Sequence, residues 1–94
     1  MNKIVVLFTM KSCPHCVEMK EMLVNEGIDF VDRDIDDYEE EYNMFVEITE
    51  NEYVPAFMLI ENPETDPISE LYAPDRDYDD LEDGVKIIKE WIEK

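Results

Sequence analysis

The chain of 94 residues has only two cysteines, one histidine, and eight basic residues against 26 acidic ones. Each scarcity excludes something. Two cysteines allow one short disulfide, so stability must come from packing, and a 45 % hydrophobic composition suits one modest core. Zinc normally takes four ligands from Cys, His and carboxylate. One Cys pair and one adjacent His fall short of that unless acidic side chains complete the set, so no metal site is expected. No stretch approaches the roughly 20 apolar residues of a membrane span. The Met1-Asn2-Lys3 start precedes five clearly apolar residues, too few for the core of a signal peptide. A cytoplasmic monomer is therefore expected, a single domain over residues 1–94, with no membrane association. In that reducing compartment a Cys pair is more often catalytic or metal-binding than structural.

The formal net charge of −18 argues against binding nucleic acid or an anionic membrane, since like charges repel. Its plain meaning is solubility. A non-enzymatic reading, an acidic interaction protein or DNA mimic, also rests on this charge. The distribution is uneven. Residues 1–17 hold Lys3 and Lys11 and no carboxylate, and all 26 acids lie from Glu18 onward. A thiolate, or an anionic thiol substrate, would be least repelled there.

That stretch contains Lys11-Ser12-Cys13-Pro14-His15-Cys16, with both cysteines and the only histidine. Ile4–Phe8, just before it, is apolar without alternation, as in a central strand buried on both faces. Pro14 fits the first turn of a helix, where its missing N–H is not needed. Val17, Met19, Met22 and Leu23 supply an apolar face, and Gly27 a stop. Ile28–Val31 reads as a second strand at a sheet edge, and Asp34–Asp37 as an acidic turn. A second amphipathic helix follows from Tyr38 to about Glu50, carrying Tyr42, Phe45, Val46 and Ile48. Ala56–Ile60 and Ile68–Tyr72 read as strands joined through the turn formers of Asn62–Pro67. Asp79-Asp80-Leu81-Glu82 has the spacing of a helix cap, leading into a stripe of Leu81, Val85, Ile88 and Ile92, broadened by Ile87 and Trp91. The order β-α-β-α-β-β-α gives an α/β fold, a four-stranded mixed sheet with three helices on its two faces. Ligands of such sheets gather at the carboxyl ends of strands, where the Cys pair sits.

Cys13 falls at the helix N-cap, facing unpaired N–H groups and the positive end of the dipole, a setting that lowers a thiol pKa to roughly 3.5–7.5. Lys11 and a protonated His15 add positive charge. Cys16, one turn in, is expected to act second. Against this active reading stand an inert structural pair, a zinc site, and, for His15, a plain exposed spacer.

Cys13-Pro14-His15-Cys16 after an apolar strand, Val54-Pro55 before the third strand and Asp79-Asp80-Leu81 before the last helix resemble the thioredoxin superfamily, its glutaredoxin branch most closely. Thioredoxins usually carry Trp where Ser12 stands and a buried Asp where Leu7 stands. The resemblance implies a thioredoxin-like fold and a thiol–disulfide oxidoreductase that reduces protein disulfides or glutathione mixed disulfides. It implies no tightly bound cofactor, with glutathione as co-substrate. By family analogy alone, ribonucleotide reductase is among the recipients. It also implies a cis Val54–Pro55 bond and a glutathione or substrate site of Lys11, Tyr53, Val54, Pro55, Arg76, Asp79 and Asp80. Pro14 and His15, with Lys11, tune the thiolate. An iron–sulfur cluster shared at a dimer interface occurs in some relatives.

The departures are Tyr53 where the family has Thr, Arg76-Asp77 in place of a Gly-Gly pair, and His15 in place of the common Tyr. Cys-Pro-His-Cys looks like the motif of periplasmic dithiol oxidases. Ala73-Pro74-Asp75 resembles redoxins recharged by thioredoxin reductase, which makes that enzyme the alternative electron source.

Overall fold

The computed structural model describes residues 3–65 and 67–94, so Met1, Asn2 and Asp66 of the predicted hairpin turn lie outside the described residues. The elements are β1 (Lys3–Thr9), α1 (Pro14–Asn25), β2 (Val31–Asp34), α2 (Glu39–Thr49), β3 (Ala56–Glu61), β4 (Ile68–Tyr72) and α3 (Leu81–Glu93). They form one four-stranded sheet in the order β2-β1-β3-β4. β1 pairs parallel with β2 and antiparallel with β3, and β3 pairs antiparallel with β4. This is the expected mixed α/β sheet.

β1 is central because both of its faces are apolar, and alternate residues feed two cores. Val5 and Leu7, with Phe57 and Leu59, pack against Met19 and Leu23 of α1 and Val85, Ile88 and Trp91 of α3. Val6, Phe8 and Ala56 face Tyr42 and Phe45 of α2. The Phe8 ring meets Phe45 edge-on, with centroids 5.2 Å apart. Leu7, at the position where a thioredoxin would bury an acid, is fully enclosed in the first core.

Several details differ from the sequence reading, among them Ile48 of α2, which is exposed, and Tyr38, which is the N-cap before that helix. The second strand starts at Val31, not Ile28. Ile28 is buried under α1 after the turn at Gly27, whose φ of 70° suits glycine. β2 then pairs Val31 with Val6, leaving Val31 exposed at the sheet edge. On α1, Val17 points to solvent while Cys16 takes a buried place beside Met19 and Leu23. On α3, the cap is Asp80, one residue later than the predicted start. Its carboxylate accepts from the N–H of Asp83 at 2.9 Å. Trp91 is buried in the stripe, and Ile92 is at its exposed margin.

The β2 edge carries a small polar cluster. Asp32 accepts from Thr9 Oγ1 at 2.6 Å and pairs with Lys20 Nζ at 2.6 Å. Burial pushes its pKa up, but the bonds from Lys20 and Thr9 and the Lys20 charge together outweigh this and hold it below 3.8. Arg33 stacks over the Tyr38 ring at 5.1 Å and pairs with Glu41. These charges also make the edge a poor template for another strand.

Candidate active site

The chain leaves β1 through a loop in which Ser12 takes a φ of 61°, in the left-handed region that side chains rarely adopt. This turn delivers Cys13 to the N-cap of α1 with Pro14 at the first helical position. Proline there loses no helical hydrogen bond. Cys13 and Cys16 form a disulfide, with Cα atoms 5.3 Å apart. The N–H of Cys16 donates to Cys13 Sγ at 3.2 Å, so the sulfur itself is the helix cap. The first turn of α1 holds no acidic residue, so the positive end of the helix faces that sulfur unopposed from within its own turn. Cys13 is 7 % exposed and Cys16 1 %. The outer sulfur is the one a substrate can reach.

The other flank comes from the far end of the chain. Because Phe8 is registered with Ala56, Val54-Pro55 lies beside the carboxyl end of β1. The Val54–Pro55 peptide bond is cis. The Pro55 carbonyl accepts from the hydroxyl of Tyr78, a buried side chain that the sequence reading did not single out. Burial, reinforced by the Asp77 charge, pushes the Tyr78 phenol far above its ordinary range, so it remains a donor. Gly84, in the first turns of α3, allows this approach. A Cβ there would stand 3.2 Å from both the Tyr78 ring and Met19 Cε.

Between these flanks runs an open groove of about 720 Å³. One bank is α1, through His15, Glu18 and Met22. The opposite bank is Tyr53-Val54-Pro55 together with Pro74-Asp75, and the end is closed by Tyr78 and residues Asp79 to Glu82. The structure thus brings Tyr53, Val54, Pro55, Asp79 and Asp80 together with His15. Lys11, Cys13, Pro14, Cys16 and Arg76 are not in the lining, and the Cys pair adjoins it only through His15. Lys11 is exposed on the loop before Cys13. Arg76 pairs with Asp77 at 3.0 Å, and Asp77 also accepts from the Ala73 N–H at 2.9 Å. The segment that replaces a Gly-Gly pair is thus a closed loop, with Asp75 at a φ of 66° and its N–H bonded to the Tyr78 carbonyl. Asn51 braces it through a bond to the Pro74 carbonyl at 2.7 Å. Tyr72, outside the lining, stacks on Phe57 with centroids 5.0 Å apart.

His15 Nδ1 lies 4.0 Å from Glu18 on the exposed side of α1. The absence of acids before Glu18 holds along the chain but not in space, because folding carries Asp75, Asp79, Asp80 and Glu82 to the groove. Among the described residues, no group of three or more His, Cys, Asp or Glu side chains is placed to hold a metal ion. No helix among them is long and apolar enough to cross a membrane.

A search of curated proteins returns no significant match. Among solved structures, a single-substitution variant of the thioredoxin-like protein BC3987 superposes with a TM-score of 0.58 at 14 % identity, covering 89 % of this chain and 97 % of that one. A second structure of the same protein gives 0.50 at 19 % identity, over 68 % of this chain and 82 % of the other. At such identities the likeness shows the thioredoxin-like fold. The glutaredoxin family profile matches residues 5–59, from the second residue of β1's apolar run through Cys13, Cys16, Val54 and Pro55 to β3. The match spans more than half of the chain, which belongs to the glutaredoxin family.

Proposed function

We propose that the protein is a thiol–disulfide oxidoreductase with Cys13 as nucleophile and Cys16 as resolving thiol. The observation that carries this reading is the Cys13 sulfur serving as N-cap of α1, bonded to the Cys16 N–H at 3.2 Å. In the reduced state the same N–H and the helix dipole favour a thiolate at Cys13. That thiolate attacks one sulfur of a substrate disulfide. The substrate S–S bond breaks, one substrate thiolate leaves, and a mixed disulfide joins Cys13 to the other sulfur. The Cys16 thiolate then attacks Cys13 Sγ, expelling the second substrate thiol and closing the Cys13–Cys16 disulfide. Two electrons pass from the dithiol to the substrate. An external thiol or reductase returns them.

Family membership supports glutathione or disulfide-bearing proteins as partners in general. Lys11 and His15 act from the rim in this reading, adding positive charge near Cys13. Tyr53, Val54 and Pro55 form the wall along which a substrate segment lies. Function in a reducing compartment such as the cytoplasm follows from the direction of the reaction. A second reading, recharging by thioredoxin reductase instead of glutathione, is supported by the closed loop at Arg76-Asp77 and by a groove without lysine or arginine. Coupled assays with each donor separate the two.

The test is trapping. Cys16→Ser, reduced and mixed with a disulfide substrate, is expected to accumulate a mixed disulfide on Cys13 visible by mass spectrometry, and Cys13→Ser to form none. Equal trapping by both variants, or by neither, would overturn the assignment.

A further inference from the structure

The groove that His15 and Val54-Pro55 line has a pronounced charge. Five carboxylates line it, Glu18 from α1 and Asp75, Asp79, Asp80 and Glu82 from the opposite end, with no lysine or arginine among the lining residues. Of the basic residues that the sequence places near the site, His15 lines the groove, whereas Arg76 and Lys11 stay out of it. Arg76 is held by Asp77, and Lys11 is on the loop before Cys13. The amino end of α3, which would otherwise attract an anion, is already filled by the Asp80 carboxylate on the Asp83 N–H, with Glu82 and Asp83 adding charge in the first turn. A ligand in this groove therefore meets carboxylates on two sides, and the one basic side chain in the lining is His15, itself 4.0 Å from Glu18.

Building on the oxidoreductase reading above, we propose that the groove selects disulfides carried on positively charged protein segments, and that it disfavours anionic disulfides such as that of glutathione. Shape agrees with a segment. The groove is open, reaches the Cys pair through His15, which stands between the two cysteines at the helix start, and is walled by the exposed Tyr53 and by Val54-Pro55. Lysine or arginine residues flanking the substrate cysteine would pair with Glu18 on one bank and Asp75, Asp79 or Glu82 on the other. The chemistry at sulfur is unchanged, and the charges set how often the substrate disulfide meets Cys13. All four carboxylates are exposed, so the preference acts through solvent and weakens as salt screens it.

The test uses the reduced full-length protein and three disulfide-linked peptide dimers of one length, whose central cysteine is flanked by Lys, Gln or Glu. Oxidation of the protein is followed by alkylation and mass spectrometry, with oxidised glutathione as a fourth substrate. At low salt the Lys dimer is expected to react at least about tenfold faster than the Glu dimer and faster than oxidised glutathione, the gap shrinking toward unity near 1 M salt. A net charge of −18 favours cations anywhere on the surface, so position has to be tested as well as sign. The triple variant Asp75→Asn, Asp79→Asn, Glu82→Gln should cut the Lys-to-Glu rate ratio several-fold. The remote triple variant Glu40→Gln, Glu47→Gln, Glu90→Gln, with the same change in net charge, should leave most of it. Equal ratios for the two triple variants, or no gap between Lys and Glu dimers, would overturn the proposal while leaving the oxidoreductase reading intact. If even the Gln dimer fails to oxidise the dithiol, it is the oxidoreductase reading that falls.

Discussion

The hydroxyl of Tyr78 donates a hydrogen bond to the carbonyl of Pro55, across a sequence separation of 23 residues. It ties the segment before α3 to the backbone beside the Cys pair, and the Tyr78 ring rests on Phe57 with centroids 5.5 Å apart. Tyr78→Phe keeps the ring and deletes the donor, leaving a buried carbonyl without this partner. A loss of about 1–3 kcal/mol is expected in urea unfolding. An unchanged midpoint would mean that the bond contributes nothing to the site's rigidity.

Gly84 sits where α3 approaches both Tyr78 and Met19, and an added Cβ already comes within 3.2 Å of each. Met19 Cε is the free end of a flexible chain and can shift, but the Tyr78 ring is fixed by its bond to Pro55. Gly84→Leu is therefore expected to destabilise by about 1–3 kcal/mol through overpacking, despite the better helix propensity of leucine. Thermal unfolding of the variant checks this, and an unchanged or raised Tm would show that the interface is looser than described.

Asp80, not Asp79, caps α3. Asp80→Ala should cost about 1 kcal/mol, whereas Asp79→Ala, which removes no cap, should stay within roughly 0.5 kcal/mol. The reverse ranking in denaturant titrations would restore the cap predicted from sequence.

Asp32 links stability to pH. Its folded pKa lies below the 3.8 of the unfolded chain, through Lys20 and Thr9 against the opposing effect of burial. A depressed carboxyl contributes stability that is complete above the unfolded value, declines as pH falls below 3.8, and is gone below the folded value. The stability gap between the native chain and Asp32→Asn should accordingly narrow as pH is lowered from 6 through 3.8. Asp32 is partly exposed, so the gap is expected to be small and reduced by salt. A gap that widens in acid would contradict the described pairing.

Much of this was legible in the sequence because it is local. The apolar run before Cys13, Pro14 at the helix start and Gly27 at its end each fix a boundary by their own chemistry, and the element order follows. The boundary of β2 was not legible. Ile28 and Phe30 read as strand residues by composition, yet Ile28 is taken by the core under α1 and pairing begins only at Val31. The same limit applies at the site. Cys13, Cys16 and Val54-Pro55 are recognisable as short motifs, whereas Tyr78 on Pro55, Asn51 on Pro74 and Asp77 on Ala73 and Arg76 are contacts of the folded chain. The acidic groove is likewise a product of folding, since Glu18 and Asp79 are far apart in sequence and meet only across it.

The central claim is that Cys13, as the cap of α1, is the activated nucleophile. The most direct measurement is the pH dependence of alkylation of the reduced protein by iodoacetamide, with the modified residue identified by mass spectrometry. Cys13 is predicted to react first, with an apparent pKa below the roughly 8.5 of a free cysteine, and Cys16 slowly. Preferential modification of Cys16, or a Cys13 that titrates at or above the free value, would contradict it.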